Sequence, residues 1–519
     1  MTHEKKERVM GIFFVSLALL ATFLIVYSPH FSYKYPIHVD EWQHIAKAVH
    51  LIRYNKTFDF NPYLNTLSYT PNLEKGMTVF LAEFSVLAGL DPVQNYRFLP
   101  ALFAAISAFM LFSLVYSMTK EFYAALFSII FFAALKSNIN IMGLWFFTPL
   151  TFSIPFIYLS ILMFIKGLEE KNNPKIMMSV FLLGIVSLIQ PLFTVSIFLI
   201  YPIFLIINAG LIKKNARILS VFIIIPILFL IYFFNFFWRG GLSETMRYIS
   251  SFIVFQTGWG HIELRYFLPS LYGIAATLLA ILGIYPAMKR RSTKIFIIWA
   301  IVSLILIYLF RIYSFSLIAP YQRMIYFCML GMVPLSAMGL GWAVGIIRGN
   351  FHRLFRRTKH HDGHLISNAA ALIIVVIVIA ASFNDYYAPP EEDRIYNVIE
   401  DKDYGALIFL ERLEGSYLMA PLRISSAVYP ISKNLLIGVT KGNLPPGNIS
   451  EVEDFYKGDC EEKRDIIERQ GIELVLSEEE IGCDYFDGRE IYNQEDYIYS
   501  FFAPEILEGI DLSDLPTAR

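Results

Sequence analysis

An acidic pair with a histidine on either side is the stretch of this sequence best equipped for chemistry. The residues are His38, Asp40, Glu41 and His44. A carboxylate held at the start of a helix can take a proton from a hydroxyl group, so Asp40 is a candidate general base and Glu41 a reserve base or positioning group. Histidines and carboxylates at such close spacing can also bind a divalent cation, although they match no established ligand pattern. We assign no metal ligands and keep a divalent cation as an alternative.

The same stretch also has a purely structural interpretation. Asp40 can cap a helix in which Gln43, three positions later, completes a capping box. Apolar residues then recur at helical spacing, which predicts an amphipathic helix lying flat on the bilayer with its polar face toward water or headgroups. The predicted apolar face comprises Trp42, Ile45, Ala46, Val49 and Ile52, and the polar face comprises Gln43, His44, Lys47 and Arg53.

The composition places the elements around this stretch in a membrane. Of the 519 residues, 56% are hydrophobic and 17% are charged, against about 25% charged in average soluble proteins. Eleven stretches are apolar over lengths that suit a hydrocarbon core about 30 Å thick. They cover residues 10–28, 99–119, 122–137, 146–165, 176–190, 191–208, 218–237, 268–288, 295–312, 324–347 and 366–384.

The charges divide the chain into two parts. Residues 385–519 hold 30 of the 44 acidic residues and 12 of the 43 basic ones, which gives this segment a net charge of −18 and residues 1–384 a net charge of +17. We therefore predict a polytopic membrane domain over 1–384 and an acidic domain over 385–519.

The basic residues also predict an orientation. Clusters at residues 5–8, 213–217, 289–294 and 348–359 fall on one side of the predicted bundle, and the positive-inside rule assigns that side to the cytoplasm. We expect a multi-pass plasma-membrane protein with a cytoplasmic N-terminus. The segments 29–98, 239–267 and 385–519 would then lie outside.

Two features of the predicted exterior segments bear on the fold. Gly76 to Leu90 is apolar but short and contains Glu83, so we predict an in-plane or re-entrant helix there. The C-terminal segment alternates helical and strand-like stretches, which favours a small α/β domain. Cys460 and Cys483 both lie in that domain, where the compartment permits a disulfide, but the sequence does not show whether their Cα atoms approach closely enough.

This layout resembles the GT-C superfamily of integral-membrane glycosyltransferases. The resemblance rests on a short N-terminal tip, one helix, a long outer loop that opens with Asp40-Glu41, many helices and an outer C-terminal domain. Glu74-Lys75-Gly76-Met77 is similar to the continuation after that loop in many members. Gly143 to Pro149 and Gln190-Pro191 look most like archaeal members. The resemblance implies a mainly α fold, a bundle of about 11 transmembrane helices carrying an exterior α/β domain.

The resemblance also implies a function. GT-C enzymes take a sugar from a polyprenyl phosphate or diphosphate, so Asp40 would activate an acceptor hydroxyl and cations would bind the leaving phosphate. By position, Arg323, Arg311 and Lys75 are the candidate cations, with Tyr321 as a further donor of a hydrogen bond. Each of these cations could instead extend to lipid headgroups from a helix end. Four residues of the second outer loop are candidate substrate-binding residues, with an interfacial aromatic belt as the alternative: Trp259, His261, Glu263 and Arg265.

Two other functions remain open from the sequence. A transporter or lipid flippase would need its essential charges near the membrane midplane, and an assembly protein would not depend on Asp40. Asp403-Tyr404-Gly405 matches the end of an oligosaccharyltransferase motif, but the two preceding tryptophans are missing and we attribute the match to chance. We expect a polyprenyl-phosphate sugar donor, a glycan, lipid or protein acceptor, and no nucleic-acid partner.

Overall fold

Two compact units make up the chain. The computed structural model describes residues 3–55, 60–67, 74–138, 141–208, 254–256, 268–355, 362–383, 397–440 and 444–502, with the single residues 210 and 442. The first unit consists of Met1–Ser28 and Pro100–Arg394, and the second of Pro29–Leu99 and Ile395–Arg519. The loop that follows the first helix therefore folds with the C-terminal segment, whereas the division by charge grouped it with the membrane domain.

The described helices, in chain order, fall into a long apolar set and a shorter, more polar set. They are α1 (His3–Tyr27), α2 (Val39–Tyr54), α3 (Lys75–Ala88), α4 (Pro92–Asn95), α5 (Phe98–Thr119), α6 (Phe122–Ala133), α7 (Pro149–Glu170), α8 (Asn173–Ile189), α9 (Pro191–Ile207), α10 (Leu268–Tyr272), α11 (Ile274–Lys289), α12 (Lys294–Tyr313), α13 (Tyr321–Phe355), α14 (Asp362–Phe383), α15 (Asp401–Leu410), α16 (Leu422–Ser432), α17 (Ile449–Lys457) and α18 (Cys460–Gln470).

Helices of the first unit occupy ten of the eleven stretches predicted to cross a membrane, and the eleventh, 218–237, lies outside the described residues. Among the described helices, five are long and apolar enough to span a bilayer. The structure thus indicates a multi-pass membrane protein, while the number of eleven crossings remains a prediction. The five spans are Val9–Phe31, Phe98–Thr119, Pro149–Glu170, Lys294–Tyr313 and Tyr321–Ile347.

Glycines allow two described helices of this unit to approach closely. A Cβ atom on Gly283 of α11 would lie 1.9 Å from the Leu335 carbonyl oxygen of α13, and one on Gly339 of α13 would lie 2.0 Å from the Leu279 carbonyl oxygen. Backbones approach in this way at membrane helix interfaces, where small residues permit close van der Waals packing. The bundle is therefore held together at a position where no larger residue fits.

A mixed five-stranded sheet organises the second unit. Its strands are β5 (Tyr417–Met419), β6 (Leu435–Leu436), β7 (Leu474–Ser477), β8 (Glu490–Gln494) and β9 (Asp496–Ser500), in the order β6-β5-β7-β9-β8. β5 is parallel to β6 and β7, and β9 is antiparallel to β7 and β8. Two two-stranded ladders complete the described strands: β1 (Phe60–Asn61) with β2 (Thr66–Leu67), and β3 (Val254–Gln256) with β4 (Phe315–Leu317).

A disulfide and a small apolar core stabilise the C-terminal part of this unit. Cys460 at the start of α18 is bonded to Cys483, with their Cα atoms 5.7 Å apart. Cys483 packs in a core with Phe455, Val475 and Phe486. The disulfide that the sequence left open is present, and the alternation of helices and strands predicted for the tail is found.

Tyrosine hydroxyls join the outer loop to the C-terminal segment. Tyr33 Oη donates to the Ile399 carbonyl at 2.9 Å, and Tyr35 Oη donates to Asp401 Oδ1 at 2.8 Å. Tyr63 Oη donates to the Ser426 carbonyl at 2.7 Å. The partners lie more than 360 residues apart in sequence, so these bonds depend on tertiary structure alone. They make α2 an internal element of the second unit.

Candidate functional site

A capping box fixes the start of α2 two residues earlier than the sequence predicted. His38 is the N-cap, and its Nδ1 accepts the Asp40 backbone N–H at 3.1 Å. Glu41 is fully buried, and its Oε2 accepts the backbone N–H groups of Ile37 and His38 at 2.9 and 3.1 Å. The prediction that Asp40 and Gln43 form the cap was wrong, because the helix starts two residues earlier and its capping box consists of His38 and Glu41. The Glu41 carboxylate thus stabilises the start of α2.

Asp40 is the second residue of α2, and its carboxylate takes no part in the capping box. Its side chain is 13% exposed, and its Oδ2 lies 3.9 Å from Nδ1 of His38. The buried Tyr96 phenol lies in its field: burial chiefly raises the pKa of Tyr96, and the charges of Glu41 and Asp40 raise it further. Asp40 is thus a partly exposed carboxylate, which is a side chain that can accept a hydrogen bond from a hydroxyl group.

The helix does not lie flat on a bilayer, because it packs against α3 and α16 within the second unit. Trp42 is fully buried and donates its indole N–H to the Pro36 carbonyl at 3.1 Å. Gln43, predicted to face water, is also fully buried, and its Oε1 accepts the Leu444 N–H at 3.0 Å. That part of the prediction was wrong, since both faces of α2 meet protein.

Two further polar residues, His44 and Lys47, follow Asp40 along the same side of α2. His44 is 1% exposed, and Nε2 is 3.8 Å from Oε2 of Glu74, the residue that precedes α3. Lys47 is partly buried; burial lowers its pKa, while the charges of Glu74 and Asp40 act in the opposite sense. The sequence interpretation missed this grouping, although the spacing of Asp40, His44 and Lys47 at i, i+4 and i+7 was a signal for a shared face.

No three His, Cys, Asp or Glu side chains in the described part of the chain converge as a metal site requires. His38 and Glu41 are instead tied to the backbone at the start of α2. The alternative of a divalent cation at this stretch therefore has no ligand set among these residues.

Three of the candidate phosphate-binding residues lie around the turn between α12 and α13, in the first unit. Arg323 donates from Nη1 to the Ile141 carbonyl at 3.2 Å, and its Nη2 lies 2.9 Å from Sδ of Met142. Tyr321 is buried, with its ring stacked on Phe310 at 4.5 Å. Arg311, in the last turn of α12, is partly buried. Arg323 therefore contacts the residues just before the Gly143 to Pro149 motif.

The structure describes Lys75 but not the four candidate residues of the second outer loop. Lys75 is the first residue of α3, directly after Glu74, and belongs to the same unit as Asp40. Trp259, His261, Glu263 and Arg265 lie outside the described residues.

The sequence alone matches no protein-family model and no curated protein. Solved structures do match. The oligosaccharyltransferase of Archaeoglobus fulgidus in the apo form shares 12% identity over 90% of this chain and 69% of that protein, with a TM-score of 0.58. AglB from the same organism, in complex with an inhibitory peptide and a dolichol-phosphate, shares 13% identity over 91% of this chain and 70% of that one, with a TM-score of 0.55.

A bacterial protein matches over a greater share of its own length. ArnT from Cupriavidus metallidurans in the apo state shares 12% identity, covering 95% of this chain and 98% of that one, with a TM-score of 0.56. The identities are low, so the similarity is one of fold. Oligosaccharyltransferase and ArnT both have the GT-C fold, which is the fold that the sequence resembles.

Proposed function

Since this chain has the GT-C fold, we propose that it is a membrane glycosyltransferase that takes its sugar from a polyprenyl-phosphate-linked donor. Fold alone does not determine an activity, because one fold can carry several functions. The proposal therefore depends on what the residues at the start of α2 can do.

The proposal rests on a difference in hydrogen bonding and exposure between two adjacent carboxylates, Glu41 and Asp40. Glu41 is fully buried and accepts two backbone N–H groups. Asp40 keeps 13% of its side-chain surface exposed, and its carboxylate accepts no hydrogen bond within the described residues. A rigid helix start thus presents one carboxylate with free lone pairs, which is what a general base requires.

The proposed reaction inverts the anomeric centre. Asp40 accepts the proton of an acceptor hydroxyl while that oxygen forms a bond to the anomeric carbon. The bond between the anomeric carbon and the phosphate oxygen breaks, and the electron pair leaves with the polyprenyl phosphate. Arg323, Arg311 and Lys75 are proposed to stabilise this charge, with Tyr321 donating a hydrogen bond.

The remaining assignments follow from the same proposal. The donor is a polyprenyl-phosphate sugar bound from the bilayer, and the acceptor is a glycan, lipid or protein. The structure of AglB is of a complex that contains dolichol-phosphate, and a lipid phosphate of that class is the donor component we propose here. The protein would be in the plasma membrane, with its N-terminus in the cytoplasm and its second unit outside.

Transfer assays with matched carboxylate variants test the base. Membranes that carry the wild type, Asp40→Asn or Asp91→Asn are given a panel of radiolabelled polyprenyl-phosphate sugars, with and without EDTA. Asp91 caps α4 by accepting the Val93 and Gln94 N–H groups at 2.7 and 2.8 Å, and asparagine can serve as the same cap. Asp40→Asn should lower turnover by about a hundredfold or more, while Asp91→Asn should leave it unchanged.

The outcomes separate the functions considered. Robust transfer by Asp40→Asn at wild-type expression would remove Asp40 from the mechanism. Movement of the lipid-linked sugar across vesicle membranes without transfer would favour the flippase. Loss of transfer in EDTA alone would show that a divalent cation takes part.

A further inference from the structure

One face of α2 carries polar groups that the capping box does not use. Asp40, His44 and Lys47 are spaced at i, i+4 and i+7, which places their side chains along one side of the helix. Glu74, just before α3, lies against this side, with Oε2 3.8 Å from Nε2 of His44. We call these four residues the α2 polar face.

His44 is the observation that points to a ligand. Its side chain is 1% exposed, yet neither ring nitrogen has a hydrogen-bond partner among the described residues. The distance to Glu74 exceeds that of a hydrogen bond. Buried polar groups are nearly always paired, so a histidine left in this state is one that a bound group can complete.

The protonation state of His44 determines which hydrogen bonds its ring can make. Burial lowers the pKa of His44 well below its ordinary value, and the charges of Lys47 and His38 lower it further. The ring is therefore neutral at pH 7, with one nitrogen as donor and the other as acceptor. A hydroxyl group, which both donates and accepts, is its natural partner.

The chemical groups of the α2 polar face indicate the kind of ligand that it suits. Asp40 and Glu74 contribute two carboxyl groups, and Lys47 contributes one amine. A neutral group with several hydroxyls suits it, because the carboxylates accept hydrogen bonds and the ammonium donates them.

We propose that the α2 polar face binds the hydroxyl groups of a sugar ring, with His44 and Lys47 as specificity-determining residues. This inference rests on the proposed function and deepens it, since a sugar bound here lies beside the base Asp40. Either the transferred sugar of the donor or a sugar of the acceptor has this chemistry.

Binding of two lipids to the full-length protein in nanodiscs tests the inference. One lipid is a polyprenyl-phosphate hexose and the other is the same polyprenyl phosphate without sugar. His44→Leu and Lys47→Met should each weaken binding of the sugar-bearing lipid about tenfold, the value of one lost hydrogen bond, and leave the bare lipid phosphate unchanged. His44→Gln keeps a donor and an acceptor and should restore most of the binding.

His50→Leu is the matched control, because it makes the same change on the same helix. His50 is also buried, but its Nδ1 lies 3.0 Å from Oη of Tyr429, so the loss should affect folding and not sugar binding. If His44→Leu does not fold, Lys47→Met decides, since Lys47 is partly exposed.

A second experiment measures the KM of the same variants for the acceptor that the transfer assay identifies. A raised KM for that acceptor with unchanged donor binding would support the inference and assign the face to the acceptor sugar. The inference is overturned if the variants weaken both lipids equally, or if neither donor binding nor acceptor KM changes. A wild type that binds neither lipid would instead overturn the proposed function, and the inference with it.

Discussion

The two halves of α2 contain similar polar residues, but these residues differ in whether they have hydrogen-bond partners. In the second half, His50 is bonded to Tyr429, and Arg53 donates from both terminal nitrogens to the Glu414 carboxylate at 2.9 and 2.8 Å. Each of these side chains has at least one hydrogen-bond partner within the protein. The second half therefore uses polarity to join the helix to the C-terminal segment.

The first half leaves comparable groups incomplete. His44 is more deeply buried than His50 but has no hydrogen-bond partner in the described structure. Lys47 has no carboxylate oxygen within 4 Å there, unlike Arg53. Along a single helix, satisfied polar groups mark structure and unsatisfied ones mark a site, because leaving a buried polar group unpaired costs stability that only a ligand can return.

The largest effect is expected where the first half is itself structural. Glu41→Ala removes the buried carboxylate that holds the start of α2, and we expect a loss of about 3 kcal/mol in unfolding free energy, the upper range for hydrogen bonds to a charged group. Asp40→Ala should change stability by less than about 0.5 kcal/mol. Thermal unfolding of both full-length variants, with transfer assays alongside, measures the contrast.

The expected pattern is a destabilised Glu41→Ala and an inactive but stable Asp40→Ala. If Asp40→Ala were the less stable of the two, Asp40 would be the structural residue and the assignment of roles would be reversed.

Replacing the two histidines tests the comparison directly. His50→Leu leaves the buried Tyr429 hydroxyl without its partner and should cost about 2 kcal/mol. His44→Leu removes an unsatisfied group and should be neutral or slightly stabilising. Unfolding midpoints measured at one pH and one detergent concentration give the difference. Equal destabilisation by both changes would mean that His44 has a structural partner after all.

The pH dependence of stability shows whether burial keeps a histidine neutral. Burial lowers the pKa of His30 to about 4, although a hydrogen bond with the Tyr33 carbonyl opposes the shift. Between about 6.5 and about 4 the unfolded chain binds a proton that the folded chain does not, so lowering the pH through that window reduces stability by up to about 1.4 kcal/mol per pH unit. Above about 6.5 both states are neutral and the contribution is complete.

His30→Asn keeps a hydrogen-bond donor near the Tyr33 carbonyl and should remove this slope. His44→Asn should remove a second one, since its pKa is lowered in the same direction. Unfolding midpoints from pH 4.5 to 8 test both. A slope that is unchanged in His44→Asn would show that His44 takes up its proton at the same pH in the folded and unfolded chains, and hence that burial does not lower its pKa.

Local patterns predicted much of this molecule. Apolar stretches placed most of the bundle helices, and the short apolar segment with Glu83 is the helix α3. The tail strands around Tyr417 and Leu474 and the helix at Cys460 were also found from local alternation. These features depend on periodicity along the chain, which the sequence displays directly.

The orientation of α2 could not be predicted in the same way. Gln43 and His44 look like a water-facing pair by spacing, but Gln43 is bonded to Leu444 across about 400 residues of chain. Such pairing leaves no local trace, since it is the tertiary contact that decides which face is buried. The start of the helix was also predicted two residues too late, because His38 and not Asp40 is the N-cap.

The smallest effect is expected from the exposed ion pair of the second half. Arg53 and Glu414 are 29% and 45% exposed, so their attraction is screened by water and breaking it should cost about 0.5 kcal/mol. Arg53→Met should therefore shift the unfolding midpoint slightly at low salt and not at all at about 1 M salt. Lys47→Met, the same kind of change seven residues away from Asp40, should instead lower sugar affinity at both salt concentrations. If Arg53→Met weakened sugar binding as much as Lys47→Met, the polar groups of α2 would act as one surface, and the division of the helix into a structural and a binding half would fail.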